Sequence, residues 1–413
     1  MIQEKRITLK NLGKINPESI DDYINVGGYK AFEKTVGRHH IEIIDEMVRS
    51  SLRGRGGAGF SAGLKEKFTS EACLRCEQKY LICNADEGEP GTFKDRIIME
   101  NDPHLMLEGM LIAAYAIGAS KAYVYIRGEY YKSIDRINKA ISAAKEKGII
   151  GKNVFGSAFS VDVEVKLGAG SYLCGEELTL LESLEGKRGY PRIKPPYPAE
   201  YGLYGKPTLI NNVETLATIP TIIEKGSDWY TSLGTENSPG TKIFTISGDV
   251  NKPGYYETEM GITLRELIYE LAGGIKDGKE FYAAILGGAA GTFVNESVLD
   301  TPMGFDTLKE KGAVLGSGAI MVMSEGRSLF DMTNSILEFF KHESCGKCVP
   351  CRIGMPQLLH IMENLKNNKI GRIEALDLLL YESEFMAKSS LCPLGQSPIL
   401  PIKSLKQYFE NEF

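Results

Sequence analysis

Near the C-terminal end, Cys345-Gly-Lys-Cys348-Val-Pro-Cys351 sets three thiols at two-residue spacing, and a lone Cys392 stands well downstream beside Pro393. Three closely spaced thiolates turned inward, with a fourth from a distant loop, suit a 4Fe-4S cluster held by four cysteines. Zinc is the rival, but zinc sites usually draw their ligands as two separated pairs. Four unrelated buried thiols are the remaining reading. A chain that must close four sulfurs around an inorganic core has to bring two distant segments together, so this pattern constrains the fold of the whole C-terminal third.

The bulk properties narrow the class further. With 413 residues and 43% apolar composition the chain is long enough for several domains with a proper core. A net charge of −6, with Lys and Arg scattered, offers no basic stripe for a nucleic-acid backbone, so nucleic acid is not expected as a partner. The charged N-terminus lacks an apolar signal region, and the stretch from Leu105 to Ala116 is broken by Glu108 and falls short of a membrane span. The expectation is a cytoplasmic chain in a reducing compartment, without direct membrane insertion and without a disulfide scaffold.

Along the chain four textures follow one another. Residues 1–64 read as polar helical segments ending in the run Arg53-Gly-Arg-Gly-Gly-Ala-Gly59. Residues 65–235 alternate strand and helix: Tyr80 to Asn84, Leu105 to Ile117, Ala122 to Ile126, Ile134 to Lys147, Val161 to Val165 and Leu178 to Leu184. That alternation predicts an α/β unit with a Rossmann-like parallel sheet. Residues 236–327 turn β-rich, with Lys242 to Gly248 and a short helix over Leu264 to Leu271, and predict a small ubiquitin-like β-grasp domain. Residues 328–413 carry apolar positions at helical spacing and predict a helical bundle whose loops hold the cluster cysteines.

Several segments carry ligand-binding chemistry beside a bland alternative. Gly54, Gly56, Gly57 and Gly59 free the backbone to approach a phosphate, with Lys65 adding charge, yet a glycine run is also a flexible turn. No strand precedes it, so it is not the dinucleotide fingerprint. Asn84, Asp86 and Glu87 follow a strand where α/β sheets bind ligands, and their oxygens suit the hydroxyls of a ribityl or ribose chain; an acidic surface loop is the alternative. Gly168-Ala-Gly170-Ser-Tyr172-Leu-Cys-Gly175-Glu176-Glu177 is a strand, glycine turn and helix start, an anion-binding layout in which the paired acids could simply cap the helix. Asn211 and Asn212 suit a ligand's amide edge or a helix cap. Residues 187–207, rich in Pro, Gly and Tyr, form a candidate binding loop. Cys73 and Cys76 are a lone pair that could act as a dithiol or be incidental, Cys83 and Cys174 read as incidental thiols, and His39 and His40 as surface.

Taken together, Arg53-Gly-Arg-Gly-Gly-Ala-Gly-Phe60, Asn84-Ala-Asp-Glu-Gly-Glu-Pro-Gly91, Gly168 to Glu177, Lys194-Pro-Pro-Tyr-Pro198, Asn211-Asn-Val-Glu-Thr215 and Glu343 to Cys351 resemble the flavin-bearing, NADH-oxidising subunit of respiratory complex I. The resemblance extends to the NADH-binding subunits of NAD-dependent or electron-bifurcating hydrogenases and formate dehydrogenases, and covers nearly the whole chain. It implies FMN held by Gly54, Gly56, Gly57, Lys65, Asn84, Asp86, Glu87, Tyr172, Gly175, Glu176, Ile210, Asn211, Asn212 and Thr215. It further implies an NADH site lined by Phe60, Phe68, Glu89, Glu177, Lys194 and Tyr197, and a 4Fe-4S cluster on Cys345, Cys348, Cys351 and Cys392.

On this reading no side chain is itself catalytic. NADH reduces FMN, with Glu87 and Glu177 nearby, and electrons pass through the cluster to a partner. Phe60 and Phe68 would sandwich an adenine, and Glu177 would disfavour the 2′-phosphate of NADP. One cluster's worth of ligands implies a hetero-oligomer, with a small thioredoxin-like 2Fe-2S subunit and a larger multi-cluster or hydrogenase subunit as partners. Tyr197 stands where the family commonly has Phe, and Cys73 and Cys76 fall in an unmatched stretch. The competing reading from another class is a non-catalytic iron-sulfur scaffold in which the glycine segments merely turn the chain.

Overall fold

The computed structural model describes residues 3–72 and 78–413; Cys73 and Cys76 lie outside the described residues. Four strands, β1 (Tyr80–Ala85), β2 (Lys121–Arg127), β3 (Asp162–Gly168) and β4 (Thr208–Asn212), make an all-parallel sheet in the order β3-β2-β1-β4. Parallel sheets are covered on both faces, which explains the unbroken apolar run Leu81-Ile82-Cys83 in β1, fully buried throughout. On one face lie the helices Pro103–Ile117, Tyr131–Glu146 and Val213–Lys225; on the other, Glu177–Leu184 packs Leu178 and Leu181 against Ile82, Tyr125 and Ile210. Pro103–Ile117 and Val213–Lys225 cross closely at Gly109, where a Cβ would stand 1.9 Å from the Leu216 carbonyl oxygen. Periodicity along the sequence did not reveal β4, a five-residue strand ending in two asparagines, a residue type depleted in strands.

A two-residue ribbon, β5 (Gly234–Thr235) with β6 (Ser238–Pro239), leads into a five-stranded sheet. Its strands β7 (Thr241–Gly248), β8 (Gly254–Glu259), β9 (Phe281–Leu286), β10 (Thr292–Val294) and β11 (Ala319–Ser324) run in the order β10-β9-β11-β7-β8. First and last strands, β7 and β11, pair in parallel at the centre while their neighbours run antiparallel, which is the β-grasp arrangement. The expected short helix is present over Glu266–Leu271, wound with the wider spacing of a π-helix. The N-terminal segment is strapped to β8: the Glu257 carboxylate accepts from the N–H groups of Thr8 at 2.9 Å and Leu9 at 2.8 Å.

The C-terminal bundle comprises Leu329–Glu343, Val349–Lys366, Arg372–Ser389 and Ile399–Phe409. Its apolar faces, including Ile336, Phe340, Met355 and Leu379, close over Ala283, Ile285 and Phe293 of the β-grasp sheet and over Leu173 of the loop after β3. Among the described residues no helix is long and apolar enough to cross a membrane. The architecture agrees with the expected Rossmann-like sheet, β-grasp domain and helical bundle.

Candidate functional site

The carboxyl ends of β1 and β4 lie side by side, with Asn84 in register with Asn212 and Cys83 with Asn211. β2 and β3 build outward on one side of β1 and β4 on the other, so this is the point where strand order reverses and where open α/β sheets bind ligands. The glycine loop arches over it. Arg53 and Ser61 form an antiparallel bridge, and the Gly54 N–H donates to the Phe60 carbonyl at 2.8 Å, which closes the loop at its base. A Cβ at Gly56 would come within 3.1 Å of the Asn212 Cβ, and the Arg55 N–H donates to Thr215 Oγ1 at 2.8 Å. Gly59 holds φ +66°, and a Cβ there would sit 2.5 Å from the Phe305 ring. Beneath the loop the Arg55 guanidinium is fully buried and donates to the Tyr230 hydroxyl and the Pro239 carbonyl, both at 3.0 Å.

Asn84 Nδ2 donates to the Gly175 carbonyl at 2.8 Å, and the Asp86 N–H donates to Asn84 Oδ1 at 3.2 Å, which ties the loop after β1 to the loop after β3. Among the buried polar atoms without a protein partner are Asp86 Oδ1 and Asn211 Nδ2 at these strand ends, and Arg55 Nε and Nη1 beneath the loop. Buried polar groups are almost always paired, so an unpaired acceptor and an unpaired donor at adjacent strand ends fit a ligand carrying hydroxyls and amide edges, as a flavin does. Burial pushes the Asp86 carboxyl up to about 7, with Arg127 pulling it down and Glu129 and Glu343 pushing it up. The same space is tightly lined, since a Cβ on Gly88 would meet Tyr172 at 3.1 Å and one on Gly175 would stand 3.4 Å from the Asp86 carbonyl oxygen.

Not every residue implied by the resemblance turns a free group toward this space. The Glu87 carboxylate accepts from the N–H groups of Asp95 at 2.8 Å and Arg96 at 3.0 Å and from the Tyr130 hydroxyl at 3.1 Å, so it caps the helix Lys94–Asn101. Glu176 caps its own helix, accepting from Leu178 N–H at 3.0 Å and Thr179 N–H at 2.9 Å. Asn212 is held by Lys94, which donates to its Oδ1 at 3.0 Å, and by Asp95, which accepts from its Nδ2 at 2.7 Å. Tyr172 donates from its hydroxyl to Glu89 Oε2 at 2.6 Å, and Glu89 Oε1 accepts from the Ala290 N–H at 2.9 Å, which joins the parallel-sheet unit to the β-grasp domain.

On the outer side, Lys65 donates to the Ile210 carbonyl at 2.9 Å and stands 3.3 Å from Glu177 Oε2, while Lys194 lies 2.8 Å from Glu177 Oε1 and 3.0 Å from Glu176 Oε1. Burial pushes the Glu177 carboxyl up, and Lys65 and Lys194 outweigh it and hold it below the usual range. Phe60, Phe68 and Tyr197 are each about half exposed, at 52%, 49% and 54%, which leaves three aromatic faces free. Helix Ala62–Glu71, which carries Lys65 and Phe68, packs against the turn Pro198–Tyr201 that follows Tyr197.

The four cysteines gather at one end of the bundle. Cys345 lies in the loop after Leu329–Glu343, Cys348 caps Val349–Lys366, and Cys392 caps the short turn Pro393–Gln396. Cys351, expected on a loop, sits in the first helical turn of Val349–Lys366 because the chain enters the helix directly after Cys348. Burial raises the thiols of Cys351 and Cys392, the latter to about 11; Cys345 and Cys348 add to the rise at Cys351, and Cys345 to that at Cys392, which marks the sulfurs as neighbours. Among the described residues no three His, Cys, Asp or Glu side chains are drawn together closely enough to hold a metal ion as they stand. The segment that leads into the cysteines meets the loop after β3: Glu343, two residues before Cys345, accepts from the Tyr172 N–H at 3.0 Å.

Sequence reasoning missed Arg55, Lys94, Asp95, Glu214 and Glu343. No sequence motif marks Lys94 or Asp95, and only tertiary burial, with Lys94 at 1% exposure, makes them part of the site's floor.

Residues 47–221 match the family described as the Nuo51 FMN-binding domain, residues 243–289 the SLBB domain, and residues 331–413 the NADH-ubiquinone oxidoreductase-F iron-sulfur binding region. An NADH-quinone oxidoreductase subunit of Rhizobium meliloti (strain 1021) is 45% identical over 410 residues, which are 98% of this chain and 96% of that protein. NADP-reducing hydrogenase subunit HndC of Solidesulfovibrio fructosivorans is 45% identical over 411 residues, 100% of this chain and 83% of that protein. A crystal structure of an NAD+-reducing NiFe hydrogenase in the H2-reduced state superposes with a TM-score of 0.85 at 35% identity, over 99% of this chain and 66% of that one, so the chain spans just under two thirds of it. With an FMN-binding domain, an SLBB domain and an iron-sulfur region in this order, and with near full-length relatives, the chain belongs to the family of FMN-binding, iron-sulfur subunits of NADH-quinone oxidoreductases.

Proposed function

We propose that this chain is the NADH-oxidising electron-input subunit of a larger complex, binding FMN at the ends of β1 and β4, NADH over Glu177, and a 4Fe-4S cluster on Cys345, Cys348, Cys351 and Cys392. The observation that carries the flavin assignment is the pair of unpartnered buried atoms, Asp86 Oδ1 and Asn211 Nδ2, beneath the glycine loop. FMN, a 4Fe-4S cluster and NADH are the cofactors and substrate of the family, and the chain is an NADH-dependent oxidoreductase. The scaffold reading gives way to the FMN-binding domain matched over residues 47–221.

Held by these residues, FMN would supply the hydride-accepting and one-electron chemistry that links NADH to the cluster. The protein's part is placement. Gly54, Gly56 and Gly57 let the loop backbone approach a phosphate, with the buried Arg55 charge behind it. Asp86 and Asn211 meet the polar edge of the flavin chain, and Lys65, anchored on the Ile210 carbonyl, holds Glu177 at the outer rim. Phe60, Phe68 and Tyr197 offer faces for the adenine and nicotinamide ends, and keeping the reacting rings stacked and oriented is the main rate advantage such a site provides. Glu177, kept ionised by Lys65 and Lys194, disfavours a 2′-phosphate, so NADH is preferred to NADPH.

Two relatives are subunits by name, and one cluster transfers electrons only to a docked acceptor, so the partners are a small thioredoxin-like 2Fe-2S subunit and a larger multi-cluster subunit. In a complex I-type assembly the chain works at the cytoplasmic face of the membrane through those partners. The hydrogenase relatives favour a second reading, the same module in a soluble hydrogenase. Affinity purification of the tagged chain from its own host tests both: recovery of quinone-oxidoreductase subunits supports the first, recovery of hydrogenase subunits the second, and recovery of the chain alone with full electron transfer counters the hetero-oligomer.

A further inference from the structure

One side chain ties the cysteine loop to the nucleotide-side loop. Lys347, between Cys345 and Cys348, donates from its ammonium to the Pro191 carbonyl at 3.0 Å and lies 5.6 Å from the centroid of the Tyr190 ring. Arg188 covers the same ring at 4.8 Å. The segment it reaches belongs to no strand and leaves Ile193 at 69% exposure, so its place depends on side-chain clamps. Arg192 holds it to Glu182 at 2.5 Å and Glu185 at 2.8 Å, and Lys194 holds it to Glu176 and Glu177. Arg192 and Lys194 therefore clamp the segment to the helix Glu177–Leu184, and Lys347 clamps it from the cluster side.

We propose that Lys347 is a positioning residue that seats the loop Tyr190–Tyr197 against the cysteine loop, so that affinity for the ADP-ribose half of the dinucleotide depends on whether the cysteine loop is fixed by its cluster. This rests on the reading of Glu177, Lys194 and Tyr197 as the NADH side. Cys345 and Cys348 flank Lys347, and their ligation fixes the backbone from which it reaches; with the iron removed, that end of the tether is free. Because coupling between two sites is reciprocal, whatever orders the cysteine loop tightens the nucleotide loop, and the reverse. An exposed ammonium gains little from a single contact, so the effect expected from a carbonyl and a ring together is about three- to tenfold in affinity.

The test titrates ADP-ribose, which binds without being oxidised, into the flavin-loaded chain by fluorescence, before and after anaerobic removal of iron by a chelator. Wild type is expected to bind about three- to tenfold more weakly without iron. Lys347→Met binds at the weaker level in both states, and Lys347→Arg, which still reaches the Pro191 carbonyl, recovers most of the wild-type behaviour. Tyr190→Leu, remote from the thiols, carries the test should Lys347→Met lose its iron, and is expected to lower both the affinity and its dependence on iron. Equal affinity in wild type and both loss variants with the cluster intact overturns the tether alone. Failure of wild type to bind ADP-ribose at all overturns both the tether and the assignment of the nucleotide site.

Discussion

Lys242, on the first strand of the β-grasp sheet, donates to Glu214 Oε2 at 2.7 Å, and Lys94, beneath the flavin-side strand ends, stands 3.1 Å from the same oxygen. Glu214 Oε1 accepts from the Ile243 N–H at 2.9 Å, and all three charged side chains are at most 2% exposed. One carboxylate thus joins the floor of the proposed flavin site to the neighbouring domain. Substituting Glu214→Gln leaves the buried Lys242 ammonium without a counter-charge, while Lys94 keeps the Asp95 carboxylate at 2.7 Å; the loss costs about 3–5 kcal/mol, a large share of the stability of an ordinary domain. Urea denaturation should show the midpoint fall accordingly; a loss below about 1 kcal/mol would contradict this role.

Glu66 is fully buried on the helix Ala62–Glu71, and neither carboxyl oxygen has a hydrogen-bond partner. Burial pushes its carboxyl up from 4.5 to about 8. Between those two values the unfolded chain releases a proton that the folded chain keeps, so stability falls as pH rises through that window and levels off above it. With ~1.4 kcal/mol per unit of difference, the loss amounts to several kcal/mol. Glu66→Gln should therefore stabilise the protein near pH 8 and change little near pH 5, measured as denaturation midpoints of both proteins at both pH values. A parallel pH dependence in the two proteins would refute the assignment.

If Asp86 Oδ1 and Asn211 Nδ2 meet the flavin, removing either should weaken FMN without unfolding the sheet. Asp86→Ala and Asn211→Ala are each expected to raise the FMN dissociation constant about tenfold, the worth of one good hydrogen bond. Fluorescence titration of the stripped protein reads the constant, and unchanged FMN affinity in both variants would remove the flavin from this position.

Gly395 lies where a Cβ would come within 2.5 Å of Ser390 Oγ and 2.9 Å of the Cys351 Cβ. Gly395→Ala must displace one of these neighbours, at an overpacking cost of about 1–3 kcal/mol. The expected outcome is lowered iron and sulfide content with flavin content kept, although no thiol has been altered. Full iron content in this variant would show that the cysteine ring tolerates the shift.

The sequence made the cysteine ring legible because two-residue spacers and a remote fourth thiol leave few other arrangements. The parallel strands β1 to β3 were equally readable from apolar runs that end in glycine or acid. β4 was not, since Thr208–Asn212 is short and gains its strand character only by pairing with β1. Burial was the other hidden quantity. Glu87 reads as a ligand group after β1, yet its carboxylate is taken up by N–H groups of a later helix that only the folded chain brings within reach, while Glu176 takes the local helix-capping role the sequence already offered it. Lys94 and Glu214, ordinary helix-start residues in the sequence, become the charged floor of the site through contacts with a domain that follows far along the chain.

The central claim is that electrons enter at a flavin held on β1 and β4 and leave through the cysteine ring. An anaerobic titration of the loaded protein with NADH, and separately with NADPH, followed by absorbance and low-temperature EPR in wild type and Cys348→Ser, tests it most directly. The account predicts flavin bleaching by NADH in both proteins, a reduced-cluster EPR signal in wild type only, and a much weaker response to NADPH. Bleaching in wild type without any cluster signal, or no bleaching by NADH, would contradict it.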